Sequence, residues 1–97
     1  MRRNTLIVTE RARRDLDQAK IWLTQSGSGL RGRSRYAALL EAMNGLKVAP
    51  HRWPLGDNPN VRERVCESYR FFYEWSHNAR TVTILRIYSP FQDRSDV

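Results

Sequence analysis

The residues best equipped for chemistry in this chain are its arginines. Of 17 basic residues only Lys20 and Lys47 are lysines, and the rest are arginines. A guanidinium presents a planar fork of donors that fits a phosphate or carboxylate in bidentate fashion. Arg62, Arg70 and Arg86 alternate with apolar residues on three consecutive β-rich runs, so an antiparallel sheet would gather them into one patch, with Arg94 following near the end of the sequence. Two readings of the patch stand. It is a target-binding surface, or its members are cross-strand partners of Glu63, Glu67 and Glu74. The acidic strand residues are too few to neutralise the arginines nearby, which favours the first. On that reading, removing Arg62 or Arg86 impairs target action more than folding.

Proton transfer is another matter. Arginine, with a pKa above ~12, moves protons poorly at neutral pH. His51 falls in a proline-rich loop and His77 in a hairpin turn, where solvated roles are commoner than catalytic ones. Tyr69, Tyr73 and Tyr88 read as core or interface, and Asp57 and Glu63 have no second carboxylate at a readable spacing. Cys66 is the one cysteine, which excludes a disulfide framework and, with only two separated histidines, a zinc site. The sequence therefore assigns no catalytic residue, no metal and no cofactor.

The elements around these residues fill one domain. The 97 residues carry a net charge of +7, with 40% hydrophobic residues and three tryptophans. A chain of this size buries roughly two-thirds of its unfolded surface, enough for one core and no deep cavity. So basic a small domain implies an acidic partner, either nucleic acid, an enzyme that handles it, or an acidic protein. Leu6-Ile7-Val8 is too short for the apolar part of a signal peptide and no run approaches a membrane span, so a cytoplasmic location is expected.

Thr5 to Thr9 is β-rich and reads as a first strand, with Thr9 as N-cap of the helix after it. Ala12, Leu16, Ala19 and Leu23 line one face of that helix, and Ile21 and Trp22 widen the stripe. Ser26-Gly27-Ser28-Gly29 stops it. A second helix is predicted over about 30–46, with Tyr36, Leu39, Leu40, Met43 and Leu46 inward. Arg31, Arg33 and Arg35 crowd its first turns, where the helix dipole disfavours cations, so they serve a surface or a partner's carboxylates. After the loop 51–60 come three strands: Val61 to Val65, Tyr69 to Trp75, and Thr81 to Tyr88, the last with Val82, Ile84 and Arg86 on one face. The predicted class is α+β, in the order strand, helix, helix, strand, strand, strand, with a helical hairpin on a small antiparallel sheet.

The helical hairpin ending in Leu46-Lys47-Val48-Ala49-Pro50, followed by Val61-Arg62, Tyr69-Arg70-Phe71-Phe72-Tyr73 and Thr83-Ile84-Leu85-Arg86-Ile87, resembles the RelE/ParE superfamily of bacterial toxins in order and spacing over nearly the whole chain. The resemblance implies a toxin neutralised by a small antitoxin, here ParD-like, in a hetero-oligomer. It also implies one of two targets, DNA gyrase for ParE-like members or the ribosome and its messenger RNA for RelE-like ones. Arg70 matches the arginine of the Tyr-Arg-x-x-Tyr segment, whereas Arg62 and Arg64 stand near positions where the RelE-like pattern has lysines. The late catalytic arginine of that pattern falls on or near Pro90, and its terminal tyrosine is missing. The ParE-like branch fits better, although its usual histidine after the strand is Ser89 here. Trp22, Leu23 and Tyr36, set among Arg31, Arg33 and Arg35, form the expected docking surface for an acidic amphipathic antitoxin helix.

Overall fold

The computed structural model describes residues 4–25, 27, 29–55 and 60–90. Arg94 and the tail from residue 91 on lie outside them.

Thr9 makes the first corner of the chain. It follows β1 (Thr5–Val8), and its hydroxyl accepts from the Ala12 amide at 3.1 Å, capping α1 (Glu10–Leu23) as the sequence predicts. The same hydroxyl donates to the Ile84 carbonyl at 2.8 Å, tying the cap to the sheet. Gly27 and Gly29 both adopt positive φ between the helices, the backbone that the Ser-Gly run was expected to allow. Helix α2 (Gly29–Gly45) then runs back, and a short 3-10 turn at Pro50–Arg52 leads to β2 (Arg62–Cys66), β3 (Tyr69–Ser76) and β4 (Thr81–Tyr88).

The strand order is β1-β4-β3-β2. Strands β2, β3 and β4 form an antiparallel meander, whereas β1 lies parallel to β4, with Leu6 beside Val82 and Val8 beside Ile84. The sheet is therefore mixed, a correction to the antiparallel sheet expected. The helical hairpin carries the chain from one edge of the sheet to the other, so the first strand meets the last in the same direction. One core results. Tyr69, Phe71 and Tyr73 of β3, with Val82, Ile84 and Ile87 of β4, bury against Ala12, Ala19 and Leu23 of α1 and Leu39 and Met43 of α2. Each large side chain so buried contributes roughly 1.5–3 kcal/mol. The Tyr73 hydroxyl donates to the Pro50 carbonyl at 2.6 Å, and burial pushes its pKa up to about 12 against the pull of Arg62 and Arg64.

Two local features were not expected. Between Phe72 and Tyr73 the pairing with β4 jumps from Arg86 to Ile84, so Leu85 is an extra residue and a bulge re-aims the rest of the strand. Ile87 thereby joins Val82 and Ile84 in the core, and Arg86 is turned to the other face beside Phe72. The β2–β3 hairpin turns on Glu67 and Ser68, both at positive φ, in place of the Asn-Gly type of pair such turns prefer.

Candidate macromolecule-binding surfaces

The arginines of the three-stranded region divide between the two faces of the sheet. In antiparallel pairing, directly opposed residues share a face. Arg62 opposes Tyr73 and Arg64 opposes Phe71, so both lie on the face that the helices cover. Arg70 opposes Tyr88 and Arg86 opposes Phe72, on the other face. The single patch of Arg62, Arg70 and Arg86 does not form, because β2 meets β3 in a register that puts Glu63 and Val65, not Arg62, beside Phe72 and Arg70.

Each arginine has structural work. Arg62 donates to the Trp53 carbonyl at 2.6 Å, and Arg64 donates to the Ala42 carbonyl at 2.8 Å while its guanidinium lies 4.5 Å from the centre of the Trp53 ring. Ala42 is in the last turn of α2, the negative end of the helix dipole, which attracts a cation. Strand β2 therefore turns its two arginines inward and leaves Val65 56% exposed, the reverse of the usual alternation. On the other face Arg70 is bonded to Glu63. Arg86 forms a bidentate pair with Asp15 of α1, at 2.7 and 3.2 Å, and lies 4.4 Å from the Tyr88 ring. Asp15 also accepts the Ile87 amide at 2.9 Å. Strand β1 has ended at that level, so the carboxylate takes the place of a neighbouring strand for the β4 edge. Glu63 was among the cross-strand partners weighed from the sequence; Asp15 was not, since only the packing of α1 brings it to the sheet.

A groove of about 630 Å³ runs between the end of α1 and the start of α2, lined by Trp22, Gln25, Arg31, Ser34, Arg35 and Glu67. Trp22 is 50% exposed on its rim, and Leu30 at the start of α2, which the sequence did not single out, is 72% exposed. Arg31 and Arg33 are exposed, Tyr36 is half-buried, and Arg35 donates to the Glu67 carbonyl at 3.2 Å. Leu23 also lines the groove but at 3% exposure is part of the core, because the inward stripe of α1 passes through Ala12, Ala19 and Leu23 and turns Ile21 and Trp22 outward.

The family model described as "ParE toxin of type II toxin-antitoxin system, parDE" matches residues 6–93. The fold is similar to that of a chain in the RelBE2 toxin–antitoxin complex of Mycobacterium tuberculosis, at 29% identity over 92% of this chain and 93% of that one, with a TM-score of 0.67. A chain of the chromosomal ParDE system of P. aeruginosa shares the fold at 20% identity, 87% and 92% coverage and a TM-score of 0.69. So does a mutant of the E. coli toxin RelE, with two arginines replaced by alanine, bound to a peptide of its antitoxin, at 19% identity, 97% and 88% coverage and a TM-score of 0.51. A search of proteins with curated functions gives no match. Both helices and the meander of arginine-bearing strands fall within the matched residues, and the chain belongs to the ParE toxin family of type II toxin–antitoxin systems.

Proposed function

We propose that this toxin arrests growth in the cytoplasm by binding DNA gyrase, without cutting RNA, and that a ParD-like antitoxin neutralises it in a hetero-oligomer. The observation that carries this reading is the state of the two arginines opposite the helices. Arg70 is bonded to Glu63 and Arg86 to Asp15. Those hydrogen bonds raise both guanidinium pKa values further, against the smaller opposing effect of burial. Each cation is thus neutralised by a carboxylate and removed further from proton transfer. RNA cleavage asks for the opposite, free positive charge at the phosphate together with a group that exchanges protons near neutral pH. Inhibition by binding needs only a shaped surface.

The antitoxin reading rests on the hairpin groove. Trp22 offers an apolar anchor and Arg31 and Arg35 a cationic rim, with Leu30 and Arg33 exposed in the same first turns of α2, which fits an amphipathic helix with acidic flanks. Supercoiling assays with purified gyrase, run beside translation of a reporter message mapped by primer extension, test the target. Loss of supercoiling with an intact message supports gyrase. Cuts in ribosome-bound codons would replace this reading with the endoribonuclease.

A further inference from the structure

We infer that the end of the sheet around Trp75 binds a single strand of nucleic acid, with Arg52 and Arg80 on its phosphates and a base stacked against His77. This does not depend on the gyrase reading. Two segments far apart in sequence meet on one indole there. His77, in the β3–β4 turn, stacks on Trp75 with ring centres 5.2 Å apart and 22° between planes. His51, in the 3-10 turn, lies tilted against the same ring at 5.8 Å, and the Arg62 guanidinium is also 5.8 Å from its centre. The Trp75 Nε1 donates to the Asn4 side chain at 3.2 Å, so the indole is fixed and acts as a backing plate. His77 is exposed, and its outer face continues the stack for an incoming base. Stacking of this kind tolerates any base, and arginines beside it hold the backbone.

Charge is arranged to match. Every ion pair among the described residues lies elsewhere, at Arg14–Glu10, Arg35–Glu67, Arg70–Glu63 and Arg86–Asp15. Arg52 follows His51 directly and Arg80 closes the turn that carries His77; both are exposed and neither is paired with an acid among the described residues. Arg80 holds φ at 55°, a left-handed backbone that an arginine adopts only at a cost and that Asn or Gly takes readily. Local folding does not choose arginine there. A groove of about 420 Å³ passes beside the indole between Leu55, Arg62, Thr81 and Thr83, with Glu74 as the acid on its wall. Hydroxyls and a guanidinium suit a sugar–phosphate path better than an apolar peptide.

Fluorescence anisotropy of the purified chain with labelled dT and rU 12-mers tests the inference, the two strands distinguishing DNA from RNA. Tight binding to either at low salt is expected. His77→Ala should weaken it about tenfold through the lost stack. Arg52→Ala with Arg80→Asn should reduce the slope of log affinity against log salt by about 1.4, at ~0.7 per phosphate contact. Arg11→Ala with Arg13→Ala, exposed on α1 and outside both surfaces, should leave affinity unchanged, and thermal melts confirm that every variant is folded. The inference is overturned by absence of binding at low salt, by indifference to His77→Ala and the Arg52/Arg80 pair, by binding of a duplex as tight as that of the single strands, or by an acidic peptide that displaces the strand from this end. A His77→Ala variant that loses strand binding yet still inhibits supercoiling separates this inference from the proposed target.

Discussion

Arg86 and Arg80 stand on the same strand and hairpin and have opposite circumstances. Arg86 is held by both oxygens of Asp15, packs on Tyr88, and is largely screened from water. Arg80 is exposed, in a backbone conformation that resists it, with no acid on it among the described residues. The same contrast separates the two ends of the sheet. Toward the end of β4 and the β2–β3 turn, arginines are consumed in holding the fold; toward the β3–β4 turn they face solvent. The lesson is that the net charge of a basic protein does not locate its function. An ion-paired arginine is architecture, and the charge available to a partner is what remains after pairing.

The sharpest test is at Asp15. Asp15→Ala removes the acceptor of the Ile87 amide and leaves Arg86 unpaired and partly buried, an expected loss of about 2–4 kcal/mol. For a domain of this size that is a fall in Tm on the order of 10–25 °C, read by circular dichroism. Asp15→Asn, which keeps an acceptor oxygen, should recover part of it. If Asp15→Ala melts like the parent, the paired end is not structural and the contrast fails.

Alkaline titration probes the core that both ends share. Burial raises the pKa of Tyr73 from 10.0 to about 12, and burial likewise raises those of Tyr36, Tyr69 and Cys66. An acid whose folded pKa is raised keeps its proton in the native state and loses it more readily when unfolded. Its contribution is therefore full below the unfolded pKa and disappears as pH rises. Stability should hold to about pH 9 and fall by about 2 kcal/mol or more between pH 10 and 12, since each unit is worth 1.36 kcal/mol. Tyr73→Phe should flatten this limb while lowering stability at neutral pH, because the Pro50 carbonyl loses its donor.

Arg62→Ala should cost about 1 kcal/mol, as the Trp53 carbonyl loses its guanidinium donor. The expectation that removing Arg62 or Arg86 impairs target action more than folding is therefore to be judged against this folding cost. The smallest effect has the opposite sign. Arg80→Asn should raise stability by about 0.5–1 kcal/mol by relieving a left-handed arginine. A destabilised Arg80→Asn would mean that the side chain packs where it is taken to be free.

Much of the fold was legible because its signals are local. Thr9 is an N-cap, the stripe through Ala12, Ala19 and Leu23 is inward, and Thr81 to Tyr88 is a strand, all as read from residue type and spacing. What misled was a single inserted residue. Alternation along β4 puts Arg86 with Val82 and Ile84, and the bulge at Leu85 reverses that assignment without any glycine to announce it. The turn at Glu67-Ser68 was equally silent, since residues that suit positive φ are absent from it, whereas the β3–β4 turn was read from the sequence but its positive φ falls on Arg80 and not on Asn78. The Asp15–Arg86 pair and the two histidines on Trp75 depend on how elements pack, and no spacing within one element encodes that.

The parallel pairing of β1 with β4 has a consequence in time. The hydrogen bond from Thr9 to Ile84 closes a span of 75 residues, and β4 contributes Val82, Ile84 and Ile87 to the core. A chain emerging from the ribosome can form both helices early, but β1 has no strand to lie against until β4 has been made. Contacts of such long range carry a large loop-closure entropy and slow the final step. The protein therefore passes through synthesis without its completed sheet, and every surface that depends on that sheet is assembled last. A nascent chain cut short before β4 should be harmless. For a cell that makes its own poison, slow closure of this one strand pair sets an interval in which the chain exists and its action does not.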